Sequence, residues 1–276
     1  DYAEYYSQFP SHNTVCVDGI SSYPVMKSNH SFDLLSCFPA SAEPGKGFTS
    51  VTYSQVAFRE PESRADQTRL MGIVTTGPET GYYVDVFRSR KERGGDKMHD
   101  YFYHNLGQTM TLTAANGTDL NLQPTEELAF AGAHLYAYSY LYDKKVATTG
   151  QDVKVTFTID MKDKGGDDIS MNLWMKGEPE REVFTALSPM TEGLSRTPHM
   201  PYNIKEQPTL TFVARQHGEA WNRPFVAVYE PSTQKEPSAI QSVSYFDAEE
   251  PGLKDFAGIC VESKNGRTDH IFSLTD

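Results

Sequence analysis

Residues 81–106 read GYYVDVFRSRKERGGDKMHDYFYHNL, and this stretch decides the fold class. On either side of Gly94-Gly95, apolar and aromatic residues alternate with polar ones at a period of two, so each arm reads as a β-strand. Two glycines supply the backbone freedom a tight turn needs, and the reading is one antiparallel hairpin over residues 82–105 with its loop at Gly94-Gly95. Working outward, the same period recurs in TVCVDG (14–19), SVTYSQVAFRE (50–60) and LMGIVTTGPETGYYVDVFRSR (70–90), the last as two strands around a Gly-Pro turn. HLYAYSYLYD (134–143), DVKVTFTIDM (152–161), ISMNLWMKG (169–177), REVFTALSPM (181–190) and PTLTFVARQHG (208–218) continue it. PFVAVYEP (224–231), IQSVSYFDA (240–248), AGICVESKNG (257–266) and RTDHIFSLT (267–275) complete the series. Short strands separated by Gly, Pro, Asn and Asp turns, without helices between them, predict an all-β chain of antiparallel sandwich layers. Strand patterning pauses at ATTGQ, 147–151, which places an expected boundary between β-domains 1–148 and 149–276.

At 276 residues the chain is long enough to bury one large core or two ordinary ones. It carries 16 Tyr, 15 Phe, 20 Gly and 16 Pro, a composition suited to strands and turns. No apolar run approaches the roughly 20 residues that span a bilayer, so no membrane partner is expected. The chain begins at Asp1 with residues that read as the middle of a longer protein. Formal net charge is -12 with the acids spread along the sequence, which argues against nucleic acid as a partner. An anionic polymer would be repelled overall and would need a local basic cleft. The one basic cluster is RSRKERGGDK, 88–97, read first as a solvated hairpin tip. Cys16, Cys37 and Cys260 form no CxxC spacing and no disulfide framework, and Cys16 reads as a small buried hydrophobe.

Tyr136, Tyr138, Tyr140 and Tyr142 are two apart, so in a strand all four rings share one face. Such a ladder is either a sheet-packing face or a sugar-stacking platform, and Tyr138 and Tyr140 are its candidate substrate contacts. His99 and His104 differ by five positions and point to opposite faces of a strand, which excludes an i,i+2 metal pair. His99, with Asp100 and Tyr101, could line a groove or sit in a satisfied polar network. Asn13 reads as satisfying backbone groups at a strand entry, and Asp18-Gly19 as a turn. KDKGGDD, 162–168, lacks the alternating ligands of a calcium loop and reads as a hairpin turn. GxSxG, P-loop, GxGxxG and HExxH motifs are absent from the sequence.

YYSQFPSHNTVCVDG (5–19) resembles the end of the block shared by heparinase II/III-like polysaccharide lyases. The resemblance continues through residues 81–108 and ends in PFVAVYEP and NGRTDHIFS (265–273), so it spans nearly the whole chain. It implies supersandwich-like β layers that follow, in the intact enzyme, an N-terminal α/α toroid bearing the catalytic Tyr, His and Asn. The implied chemistry is β-elimination at a uronate: a base removes the proton α to the carboxylate and an acid protonates the departing oxygen. None of these 276 positions is then catalytic, and the chain alone is expected to be inactive, with an anionic polysaccharide such as a glycosaminoglycan or alginate as the parent's substrate. His12 corresponds by resemblance to one ligand of a structural zinc whose other His and Asp precede Asp1; otherwise it is a hydrogen-bonded core or interface histidine. The resemblance also implies an exported bacterial protein, periplasmic or secreted, and a possible homodimer. SQFPSH departs from the Arg-Ser-Thr-rich lead-in usual before this histidine, which leaves the substrate-side arginine unassigned. The other reading of the residues is a non-catalytic carbohydrate-binding or structural β-sandwich module.

Overall fold

The structure, a computed structural model, describes residues 2–20, 31–39, 50–60, 62–93, 95, 97–129, 136–191, 204, 206–250 and 252–275. The strands in chain order are β1 (Val15–Val17), β2 (Asp33–Phe38), β3 (Val51–Arg59), β4 (Ala65–Thr75), β5 (Gly81–Lys91), β6 (Met98–Asn105) and β7 (Thr109–Ala114). There follow β8 (Gln123–Pro124), β9 (Tyr142–Thr149), β10 (Val153–Ile159), β11 (Ile169–Met175) and β12 (Arg181–Ser188). The last five are β13 (Thr209–His217), β14 (Ala220–Thr233), β15 (Ile240–Phe246), β16 (Ala257–Ser263) and β17 (Thr268–Ser273). Short helical turns at Tyr2–Tyr6, Phe9–Ser11, Tyr136–Tyr140 and Lys162–Lys164 complete the assigned elements.

The strands form a six-stranded sheet (β1-β6-β13-β12-β9-β8), an eight-stranded sheet (β2-β3-β4-β5-β14-β11-β10-β7) and a three-stranded sheet (β15-β16-β17). Neighbours pair antiparallel throughout, as in Thr75↔Gly81 to Ala65↔Lys91 between β4 and β5. The fold is therefore the all-β layered sandwich that the period-two alternation predicts. Phe157, Leu173, Phe212, Phe225 and Ala227 belong to the core between the six- and eight-stranded sheets. Val84, Trp174, Val226, Val228, Ile259 and Val261 fill a second core between the opposite face of the eight-stranded sheet and the small one. Burial on both faces explains why β5 and β14 carry runs of buried residues in their middles instead of a clean in-out alternation. Each such side chain contributes on the order of 1.5–3 kcal/mol relative to exposure. Arg88 ties the small sheet on, donating from Nη2 to the Asp255 carbonyl at 2.7 Å and from Nη1 to Ser273 Oγ at 3.1 Å. This residue of the 88–97 cluster is fully buried, so the cluster is not wholly a solvated tip.

The expected hairpin over 82–105 does not form. β5 pairs with β4 and β14, whereas β6 pairs with β1 and β13, so the segment between them carries the chain from one sheet to the other. The tight β4–β5 turn already occupies one edge of β5. Both arms hold buried side chains on two faces, and each acquires a strand on either side. The tyrosine ladder is corrected as well: Tyr136–Tyr140 is a helical turn, and the strand starts only at Tyr142. The turn reading of KDKGGDD holds, since that segment joins the paired strands β10 and β11. ATTGQ falls at the end of β9 and the turn into β10, and strands from both sides of residue 148 are interleaved in both large sheets.

Candidate functional site

Strand β6 organises the chemistry because its successive side chains point to opposite faces of the six-stranded sheet. Asp100, Phe102 and His104 face outward, where Phe102 and Tyr138 share a core under the helical turns. His99, Tyr101 and Tyr103 alternate with them, and Tyr101 and Tyr103 pack in the inter-sheet core.

On the inner side, Arg69 donates to both oxygens of Asp85, Nε to Oδ1 at 3.0 Å and Nη2 to Oδ2 at 2.6 Å. The Tyr101 hydroxyl donates to the same Oδ2 at 2.8 Å, with Tyr229 at 3.3 Å, and the two phenols also touch each other. On the outer side the arrangement recurs: Arg215 Nε binds Asp100 Oδ1 at 2.7 Å, Nη2 binds Oδ2 at 3.0 Å, and the Tyr138 hydroxyl donates to Oδ2 at 2.7 Å. Burial first, and then the adjacent carboxylate, push the Tyr138 and Tyr229 phenols well above their usual range. Both carboxylates are fully buried, and each is paired with an arginine and multiply hydrogen-bonded, as burial of a charged group demands. Deleting one partner would strand a buried charge, at roughly 3–5 kcal/mol. The inner clamp ties the two large sheets together through the Tyr101 hydroxyl, and the outer one pins the Tyr136–Tyr140 turn to the six-stranded sheet.

The HNT segment is held between the two layers. The Asn13 carbonyl accepts from Arg69 Nη1 at 2.8 Å, and its side-chain Oδ1 accepts from the His104 backbone amide at 2.7 Å. Asn13 therefore satisfies backbone at the strand entry, as its position suggests. Asp18 and Gly19 adopt positive φ of 53° and 72°, the turn read from the sequence. Cys16 is buried, and burial pushes its thiol well above the usual range.

His12 is exposed beside this segment, its amide donating to the Phe9 carbonyl at 3.0 Å. His99 is fully buried, on the face of the sheet opposite Asp100 and Tyr138, so the structure does not bring it together with the tyrosines. Tyr138 is buried and engaged with Asp100, which rules it out as a sugar platform in this fold. Tyr140 is half-buried, its hydroxyl donating to Glu4 and its ring 5.5 Å from that of Tyr5. His134 and His199 lie outside the described residues. His104, weighed from the sequence only as a metal partner of His99, has both ring nitrogens engaged, Nε2 with the Pro10 carbonyl at 2.7 Å and Nδ1 with Thr211 Oγ1 at 2.9 Å. Its only sequence signal is its position two residues beyond Phe102 on the same strand face.

Zinc sites normally draw four donors in a tetrahedron. Among the described residues no group of three or more His, Cys, Asp or Glu is placed to hold a metal ion. His12 contributes a single imidazole, and the neighbouring His104 ring is already committed. These residues alone do not make a zinc site. Among the described residues, no helix is long and apolar enough to cross a membrane.

The layers and clamps define a class: an all-β layered sandwich stapled by buried ion pairs. No protein-family model matches the chain. It is 34% identical over 220 residues, 77% of this chain and 25% of the relative, to an endo-acting ulvan lyase of Formosa agariphila. Two solved structures of heparinase III overlay it with TM-scores of 0.46 and 0.47 at 10% identity, covering 100% and 97% of this chain and 31% of each of theirs. By its sequence relationship and the motifs at 5–19 and 81–108, the chain belongs to the heparinase-like polysaccharide lyase family, as one part of it. It spans about a quarter of the length of the curated relative it matches.

Proposed function

We propose that this chain is the β-sandwich portion of a polysaccharide lyase that cleaves a uronic-acid-containing polymer by β-elimination, with the catalytic groups supplied by the remainder of the protein. The observation that carries the reading is the 34% identity over 220 residues to an endo-acting ulvan lyase. It is supported by the fate of the polar side chains: Asp85, Asp100, Tyr101, Tyr138, Tyr229 and His104 are all spent on internal contacts. A group already satisfied inside the fold cannot reach a substrate proton, which general acid-base catalysis requires. In this role the sandwich is a rigid wall against which a polymer can be oriented. A polymer substrate of this kind places the intact protein in the periplasm or outside the cell.

The test follows the ultraviolet absorbance of the unsaturated uronate product. The full-length protein and the 276-residue chain are each given ulvan first, then heparan, chondroitin and alginate. Cleavage of one of these by the full-length protein and none by the chain is the expected result. Comparable turnover by the chain alone would overturn the division of labour, and no turnover by either would overturn the lyase reading.

A further inference from the structure

Arginines gather at one end of the eight-stranded sheet, beside Asp66 and Glu92, in a chain of net charge -12. Arg59, Arg64, Lys91 and Arg93 line a cleft of about 420 Å³ together with Ser63 and Glu92. Arg59 lies opposite Asp66, and Asp66 opposite Arg90, across three neighbouring strands, so the three side chains share a face. Arg90 in turn stacks on Trp221, its guanidinium 4.1 Å from the ring centroid. We propose that Arg59, Arg64, Arg90 and Arg93, with Trp221 at their end, bind an anionic polysaccharide chain, the guanidinium groups taking its acidic substituents and the indole one sugar face. This rests on the lyase reading and adds to it where the polymer is held.

The cations are available for such a role. Among the described residues no ion pair engages Arg64 or Arg93. Arg59 meets Asp66 and Glu92 only at 3.9 and 3.5 Å, in contacts exposed enough for an incoming anion to exchange with them. Lys91 is excluded from the set, since Asp18 holds its ammonium at 2.6 Å. Arg64 is presented by a stiff turn: Glu60 accepts from the amides of Glu62 and Ser63 at 2.8 and 2.5 Å, and Arg64 itself sits at φ 58°. Arginine suits the task because its planar fork binds carboxylate or sulfate oxygens in pairs. Arg59 and Arg90 stand two strand spacings apart, roughly 9–10 Å, a distance suited to charges carried on every second sugar. A half-buried indole beside a cation gives such a chain an apolar face to stack on.

The experiment is affinity electrophoresis of the chain in gels containing polygalacturonate (carboxylates only), dextran sulfate (sulfate esters only) or neutral dextran. Retardation by one or both charged polymers and not by dextran is expected, and which polymer retards more tells carboxylate from sulfate recognition. The triple variant Arg59→Ala/Arg64→Gly/Arg93→Ala should weaken binding about tenfold, and Trp221→Ala severalfold. Lys162→Ala/Lys164→Ala/Lys235→Ala removes as much charge elsewhere and should leave binding unchanged. Absence of retardation in the wild type, or equal weakening by both triple variants, overturns the proposal. In a full-length protein that cleaves its polymer, the arginine triple should raise KM about tenfold with kcat retained; unchanged KM there sinks the inference and spares the lyase reading. Retardation lost in the arginine triple, from a full-length protein without lyase activity, does the reverse.

Discussion

His104 is a basic residue that the fold keeps neutral. The Pro10 carbonyl can only accept, so Nε2 carries the proton and donates to it, and Nδ1 is left to accept from the Thr211 hydroxyl. Burial pulls the imidazole down from 6.5 to about 4; the Pro10 contact opposes this, and nearby His12 adds to it. The folded pKa is thus below the unfolded one, so between the two values the unfolded chain binds the extra proton. The neutral-His contribution is complete above about pH 6.5 and is lost as pH falls towards 4, amounting to roughly 3 kcal/mol if the full shift is expressed. Urea unfolding at pH 7.5, 5.5 and 4.5 should show a steeper loss of stability for the wild type than for His104→Gln. Parallel curves would show that His104 does not carry the dependence.

Asp18 governs the passage between sheets. Its Oδ1 accepts from the amides of Lys97 and Met98 at 2.9 and 3.2 Å, and its Oδ2 takes the Lys91 ammonium at 2.6 Å, so one carboxylate joins the end of β5 to the start of β6. Those contacts, which outweigh the burial of the carboxyl, hold its pKa below the usual range. Asp18→Ala should cost about 1–3 kcal/mol, as expected for orphaned donors, and should speed hydrogen exchange at the Lys97 and Met98 amides far more than at Val155 in the core. Uniform exchange across these amides would mean that the crossover is held by other contacts. The same elements show what the sequence discloses. Alternation in 81–106 identified two strands correctly, because period two follows from local geometry. It named β4 as one neighbour of β5, across the Gly-Pro turn, but not β14 or β13, whose residues lie more than a hundred positions away. Tyr136–Tyr140 has the same period, yet there the Tyr138–Asp100 contact and the packing of Tyr5 on Tyr140 go with a helical turn instead of a strand. Strands β2, β7 and β8 were not read from sequence, and β9 was missed beyond its first two residues, its end being taken for a pause in the pattern. Of the site, the Asn13 role and the Asp18-Gly19 turn were legible, whereas the hold of the Asp18 carboxylate on Lys91, Lys97 and Met98 was not. The Asp85 and Asp100 clamps were not, since a buried acid is recognisable only when its distant arginine is seen.

At the scale of the whole molecule, the layers do not cover one another evenly. The three-stranded sheet shields the middle of the eight-stranded one, but β2 and β3 extend beyond it, with Phe32 and Leu34 each 62% exposed and Phe272, on β17, 59% exposed. Phe272 lines a groove of about 410 Å³ with Tyr53, Leu70 and Leu274, whereas Phe32 lies on the other face of the sheet, in a groove of about 270 Å³ with Val56 and Phe58. Strand β2 is also a sheet edge, with backbone groups on one side free of a neighbouring strand among the described residues. Soluble proteins rarely leave an edge strip with apolar side chains exposed on both faces in water unless another surface meets it. The chain, spanning about a quarter of its curated relative, should therefore enhance the fluorescence of an anilinonaphthalene sulfonate dye when it is alone. Leu34→Ser with Phe272→Ser should reduce that signal without lowering the melting temperature appreciably, because both side chains are already exposed. The full-length protein should give less dye fluorescence per mole than the chain if the strip lies against the rest of the polypeptide, and equal or greater fluorescence if it faces solvent there. Light scattering at each concentration separates either result from self-association through the β2 edge, which would hide the strip and leave the isolated chain dark.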